Sequence, residues 1–344
     1  MSRSELTIDL GALRRNVGTL RRALDGAALW AVVKADGYGH GAVDASTAVL
    51  DAGAEALCVA TVAEALELRR EFREARILCM GQLSTSHEIA AAREASIEIT
   101  VEGDEIPEGL RVHLKLDTGM GRFGLSEVVT PTRHVVGLMS HLATADTDPA
   151  FAGEQVARFA ELVQPYRGEL VCHIANSAAA LSLPEARFDA ARCGIALYGL
   201  SPFVEDLTPS VTSRLEPVMH WSSYLAQVKL LQAGESTGYG RRFVAERPTW
   251  IGLVPVGYAD GFRRDLTGTE VRVGGEPRKV VGTISMDSFA VELDRELPVG
   301  TPVTLIGDGI LAEQHARVAG TINYELVTGI NSDPRRAHRT VVGL

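Results

Sequence analysis

Lysine is nearly missing from this chain. Only Lys34, Lys115, Lys229 and Lys279 occur, and arginine supplies the rest of the 34 basic residues. A lysine kept inside an apolar run is therefore conspicuous. Cysteine is as sparse. Cys58, Cys79, Cys172 and Cys193 lie singly in apolar runs with no CxxC spacing. That excludes a disulfide framework and a cysteine metal centre, and points to reduced core thiols in a cytoplasmic protein without a metal. No apolar run approaches the length of a membrane span. The opening Met1-Ser2-Arg3-Ser4-Glu5 lacks the apolar core of a signal peptide. Positive charge is in deficit, 34 basic against 44 acidic residues for a net charge of −10, which argues against a nucleic-acid partner.

What is present is apolar mass in a regular order. With 344 residues and 46% hydrophobic content, the chain can fill a large core, and its length suggests two domains. Eight short apolar runs succeed one another: Leu29–Lys34, Ala56–Ala60, Arg76–Met80, Ser96–Thr100, Arg111–Leu116, Val135–Ser140, Leu170–Ile174 and Ala191–Leu197. Segments with helical spacing, such as Thr61–Glu74 and Phe151–Tyr166, separate several of them. Strand–helix alternation predicts parallel βαβ units, and eight of them fit a closed (β/α)8 TIM barrel. An open doubly wound sheet is the alternative, but no GxGxxG follows the first run. From about Trp221 the runs become β-rich and are punctuated by Gly and Pro, which predicts a mostly antiparallel β domain. The expected division is a barrel over 11–222 and a β domain over 223–344 that takes in an N-terminal strand within 1–10.

Polar residues gather just past the predicted barrel strands: Lys34 and Tyr38, Lys115 with Asp117 and Arg122, His141, His173 with Asn176 and Ser177, then Arg192, Gly194 and Ile195. Active sites of such barrels lie at this face, with phosphate often held after strands seven and eight. The small residues at Ser177 and Gly194 permit close backbone approach to an anion. A lysine facing a phosphate site suggests a Schiff base to pyridoxal phosphate. A Schiff-base aldolase would also use a barrel lysine, and a structural lysine at a strand end remains open.

The residues that follow resemble one family end to end. Ala31-Val32-Val33-Lys34-Ala35-Asp36-Gly37-Tyr38-Gly39-His40-Gly41 is similar to the cofactor-lysine motif of the alanine racemases. The likeness continues through Leu114-Lys115-Leu116-Asp117-Thr118-Gly119-Met120-Gly121-Arg122, Ser140-His141-Leu142-Ala143, His173-Ile174-Ala175-Asn176-Ser177 and Arg192-Cys193-Gly194-Ile195. In the β domain it is carried by Gly238-Tyr239-Gly240, Gly257-Tyr258-Ala259-Asp260-Gly261 and Ile284-Ser285-Met286-Asp287.

The resemblance implies a pyridoxal-phosphate enzyme that interconverts L- and D-alanine and supplies D-alanine for peptidoglycan. It implies a homodimer with shared active sites. Lys34 would carry the cofactor and act as one acid–base group, and Tyr239 of the partner subunit as the other. Arg192 would bond the ring nitrogen. Tyr38, Asn176, Ser177, Gly194 and Ile195 would form the phosphate site. Arg122, oriented by Lys115 (often a carbamate in the family), would support the phenolic oxygen. His141 would back the catalytic tyrosine, Met286 and Asp287 would bind or support the substrate, and Tyr258 would line the entrance. The chemistry agrees with two of these roles. Racemisation needs one proton carrier on each face of Cα. Arginine can only donate, so it leaves the ring nitrogen unprotonated.

Three positions depart from the common pattern: Thr283 for an arginine, Gly238 for a serine, and Ser332 where many members place a tyrosine. Two rival readings fit the sequence less well. A decarboxylase of the same fold type would oppose a carboxylate to the ring nitrogen, where this chain has Arg192. A non-catalytic pyridoxal-phosphate binder would have no use for a second domain bearing Tyr239.

Overall fold

The structure, a computed structural model, describes residues 2–83, 85–203 and 214–344. The chain divides into two compact units, one over 11–216 and the other over 1–10 with 217–344.

β1 (Glu5–Asp9) belongs to the second unit. The first unit holds β2 (Ala28–Val32), β3 (Ala56–Val59), β4 (Ile77–Cys79), β5 (Glu98–Val101), β6 (Val112–Lys115), β7 (Val135–Met139), β8 (Val171–His173) and β9 (Ala190–Cys193). Neighbours pair in parallel in the order β8-β7-β6-β5-β4-β3-β2-β9. Backbone bonds from Asp189 N to Cys172 O and from Arg192 N to Ala175 O, both 3.0 Å, join the two ends into a barrel. β2, β3, β4 and β7 read as unbroken apolar runs because both of their faces are covered, and Ala31, Leu57, Leu78, Leu114 and Leu138 have no solvent exposure. Helix starts follow from local chemistry. Thr61 and Thr85 close capping boxes with Glu64 and Glu88, and Asp148 caps Pro149–Val163, whose proline needs no N–H at that position.

The expected eighth run ends early. β9 stops at Cys193, Gly194 leaves the strand (φ −119°, ψ −94°), and Ile195–Tyr198 forms a buried single turn. An apolar run does not distinguish a strand from a buried turn.

The second unit contains β10 (Met219–Tyr224), β11 (Gln227–Leu231), β12 (Ser236–Thr237), β13 (Phe243–Val244), β14 (Thr249–Val254), β15 (Glu270–Val273), β16 (Glu276–Val281), β17 (Phe289–Leu293), β18 (Pro302–Ile306) and β19 (His338–Val342). Nine strands join in the order β11-β14-β17-β16-β15-β18-β10-β1-β19. Every pairing in that sheet is antiparallel except β1 with β19. β10 starts ahead of the expected 222/223 boundary and pairs with β1, Leu6 opposite Trp221. The β texture also hides two helices, Ala312–Ala319 and Asn323–Thr328.

Candidate active site

Lys34 sits where β2 ends, and the chain behind it takes an unusual course. Ala35, Asp36, Gly37 and Tyr38 are all left-handed, with φ of 52°, 51°, 61° and 55°. Each non-glycine residue there costs about 1–2 kcal/mol, so outside bonds must hold the turn. Gly37 N donates to Val33 O (2.9 Å), Gly41 N to Asp36 O (2.8 Å) and Ala42 N to Asp36 Oδ1 (2.8 Å). Glu64 does most. Its carboxylate accepts from Ala35 N (2.7 Å), Ala60 N (2.8 Å) and Thr61 N (3.0 Å). Burial and the Arg122 guanidinium lower the pKa of Lys34, and Glu64 opposes them.

The turn swings the buried Tyr38 ring against Tyr198, centroids 5.1 Å apart, and burial raises the Tyr38 pKa. The phenol reaches Gly194 so closely that a Cβ there would lie 2.4 Å from Tyr38 Oη. Gly194 N donates to Ser177 Oγ (2.9 Å), and Ala196 N points at the same oxygen (3.4 Å). Asn176 caps the helix Ser177–Ser182 by accepting from Ala179 N (3.0 Å). Tyr38, Asn176, Ser177, Gly194 and Ile195 thus converge on one small-residue cradle.

Lys115 ends β6 and donates from Nζ to Glu102 Oε1 (2.8 Å). Beyond it, Asp117 Oδ1 accepts from Gly119 N, Met120 N and Gly121 N at 2.9, 2.8 and 3.1 Å. That fold of the loop carries Arg122 out to an exposed position. The structure shows no direct bond between Lys115 and Arg122.

Arg192 is buried in β9. Its Nη1 donates to His173 Nδ1 (2.6 Å) and His173 O (3.0 Å), and its Nη2 to Ser140 O (2.7 Å), His141 Nδ1 (3.3 Å) and Ile174 O (3.4 Å). Among the described residues nothing accepts from its Nε. Burial lowers its pKa to about 10, so it remains a cation at neutral pH. His141, on the segment after β7, is driven down to about 3 by burial and then by Arg192, Arg122, Lys34 and Lys115. A neutral imidazole therefore sits in the field of four cations.

Tyr239, Tyr258, Met286 and Asp287 lie in the second unit. Tyr239 stands 72% exposed on a single turn, and its carbonyl accepts from Thr283 Oγ1 (2.8 Å). Tyr258 N donates to Ser285 O and Ala259 N to Met286 O, both 3.0 Å. The segment Thr283–Met286 therefore ties these residues together, leaving Tyr258 and Met286 about half exposed. Asp287 bonds Arg336 (2.7 Å), which with Arg3 also holds the buried Asp260. Ser332 is partly exposed in the segment just before Arg335 and Arg336.

Sequence reasoning missed Glu64, Glu98, Glu102 and His113. Glu64 leaves a trace, since it stands three residues after Thr61 in a capping-box spacing. The others lie in or beside strands that read as plain core.

Two family models cover most of the chain: "Alanine racemase, N-terminal domain" over residues 8–202 and "Alanine racemase, C-terminal domain" over 218–338. Alanine racemase 1 of Bacillus subtilis is 40% identical over 94% of this chain and 90% of its own length. The alanine racemase of Geobacillus kaustophilus is 40% identical over 93% of this chain and 90% of its own. Among solved structures, the alanine racemase of Streptomyces lavendulae superposes with a TM-score of 0.90 at 35% identity, covering 100% of this chain and 98% of that one. The enzyme of Streptomyces coelicolor A3(2) gives 0.89 at 39% identity, covering 99% and 98%.

Proposed function

The chain belongs to the alanine racemase family, and on that premise we propose how its own residues interconvert L- and D-alanine. It is an isomerase whose first unit is a (β/α)8 barrel. The proposed cofactor is pyridoxal phosphate, and the barrel residues fit it in three ways. Lys34, Lys115, Arg122 and Arg192 all act on His141, a positive field suited to a polyanion. The glycine at 194 leaves open a cradle that a Cβ would fill. Arg192 spends both terminal nitrogens on protein and leaves Nε for a ring nitrogen. The single observation that carries the reading is the half-buried Lys34 at the end of β2, its pKa lowered by burial and Arg122 so that its amine is available to a carbonyl.

Pyridoxal phosphate, when bound, supplies the electron sink that makes the substrate's Cα–H acidic. Lys34 Nζ takes or returns the proton on one face of Cα. The partner subunit's Tyr239 Oη serves the opposite face, and its exposure on its own unit suits that role. Arg192 donates and never accepts, so no protein group protonates the ring nitrogen. Tyr38, Asn176, Ser177, Gly194 and Ile195 hold the phosphate. Arg122, oriented by Lys115, would support the phenolic oxygen, and His141 stays neutral behind the tyrosine. The Met286 backbone receives the substrate carboxylate, Asp287 braces that segment through Arg336, and Tyr258 narrows the approach. The enzyme works as a cytoplasmic homodimer and supplies D-alanine for peptidoglycan. A related structure from Bacillus anthracis, 33% identical, is described as holding bound L-Ala-P, a ligand built on the alanine skeleton.

Borohydride reduction of the holoenzyme followed by peptide mapping should place the label on Lys34. A label on Lys115, or none, would sink the reading. Substrate breadth tests the pocket. Excluding one methylene is worth only about 1–3 kcal/mol, and an apolar wall rejects an added hydroxyl as poorly. With Ser332 in place of an aromatic wall, we expect alanine to be the best substrate, serine a detectable second, and arginine and lysine inactive. Comparison of kcat/KM with the Ser332→Tyr variant should show the serine-to-alanine ratio fall.

A further inference from the structure

A line of buried polar side chains runs through the barrel away from the site residues. Arg192 Nη1 lies 2.6 Å from His173 Nδ1, His173 Nε2 lies 2.8 Å from His113 Nδ1, and His113 Nε2 lies 2.9 Å from Glu98 Oε2. His113 and His173 have no solvent exposure, and Glu98 almost none. Glu98 opens β5, and the residues just before β4 and β6, Arg76 and Arg111, bond its carboxylate at 2.9 and 2.7 Å. The far end of the line is therefore anchored at the strand starts, opposite the face that bears Lys34.

The line has one polarity, set by its two ends. Arginine carries donors only, so His173 Nδ1 must present a lone pair. His173 then holds its proton on Nε2 and donates to His113 Nδ1. His113 likewise holds its proton on Nε2 and donates to Glu98. An ionised carboxylate carries acceptors only, so no link can reverse. Burial opposes ionisation of Glu98, but hydrogen bonds from His113 and Arg76 hold its carboxyl at about 2. Burial keeps both imidazoles neutral. The space is made to fit. A Cβ at Gly137 of β7 would lie 2.3 Å from His113 Nδ1, and Trp30 packs on both rings with centroids 5.6 and 4.6 Å away.

We propose that Glu98 is a positioning residue for the racemase reaction: through His113 and His173 it fixes the tautomers that let His173 Nδ1 accept from Arg192 and hold the guanidinium in a single orientation. The effect on turnover rests on the reading of Arg192 given above, whereas the tautomers do not. Glu98→Gln keeps the shape and removes the constraint. A carboxamide can donate to His113, which then turns a proton toward His173 and sets it against Arg192.

The test is long-range 1H–15N correlation of the histidine-labelled holoenzyme at neutral pH. We expect both imidazoles to be neutral with the proton on Nε2. A proton on Nδ1 of either ring, or an imidazolium, overturns the proposal even if no variant folds. In Glu98→Gln we expect an Nδ1–H population at His113. We also expect kcat to fall about tenfold, as outer partners of a buried site are worth, while KM stays within about twofold. Unchanged tautomers in the variant overturn the proposal whatever the rate does. Borohydride labelling of Lys34 reports separately on the cofactor reading, so the two can fail independently.

Discussion

Burial disfavours the charged form of three histidines besides His141 in the folded chain. His113 and His173 have no solvent exposure, and His315 is 2% exposed between Thr269 Oγ1 (2.6 Å from Nδ1) and Leu305 O (2.7 Å from Nε2). Burial lowers the pKa of all three, so each takes up a proton less readily when folded than when unfolded. Below the unfolded value near 6.5 the unfolded state binds more protons, so stability falls as pH falls. The slope is up to about 1.4 kcal/mol per pH unit for each group. Glu98, held at about 2, adds to the same trend once pH drops below the ordinary carboxylate range. Denaturant midpoints should be flat from pH 8 to 7 and decline from about 6.5 downward. His315→Gln, which keeps a donor and an acceptor, should flatten that decline. An equally steep slope in the variant would remove His315 from the account.

At the scale of elements, the left-handed turn after β2 is the most exacting piece of backbone. Glu64 serves it both mechanically, by tying Ala35 N to the Ala60–Thr61 backbone through one carboxylate, and electrically, by opposing the burial that lowers the Lys34 pKa. Glu64→Gln should therefore lower that pKa further. In the cofactor-free enzyme, the pH midpoint for labelling Lys34 with an amine reagent should move to lower pH. A midpoint moving upward would mean that loss of the turn's shape outweighs loss of the charge. Glu64 also shows where the sequence was readable and where it was not. The motif from Ala31 to Gly41 singled out Lys34 and Tyr38, and the apolar runs marked the eight barrel strands, because strands covered on both faces leave a continuous signal. Carboxylates with internal partners leave no such signal. Glu64 reads as a helix cap, and Glu98 as one more residue of an apolar run. β19 was invisible for the converse reason: His338–Val342 is half-exposed and polar, and it is a strand only because β1 lies beside it.

At the scale of the molecule, the proposed reaction groups are divided between two units, Lys34 in one and Tyr239 in the other. If a partner subunit completes each site, mixing inactive Lys34→Ala and Tyr239→Phe chains should restore activity, since one hybrid site then has both groups. Hybrids that stay inactive while subunits demonstrably exchange would show that the site is not shared. A symmetric interface that builds two sites should also be extensive, which size measurements at graded concentration can assess.

The sheet order of the second unit also has a consequence for how the chain is made. β1 lies between β10 and β19, so it is synthesised long before the two strands it needs as partners. The barrel segment, 11–216, is complete before either partner emerges. After β10, β1 still waits roughly ten seconds at ordinary translation rates for His338–Val342 to appear. Throughout that interval Leu6 and Ile8, fully buried in the finished sheet, lie on a strand with an open edge. The nascent chain is thus open to mispairing at β1 throughout that interval, and a chaperone that shields short apolar strands would find its substrate there.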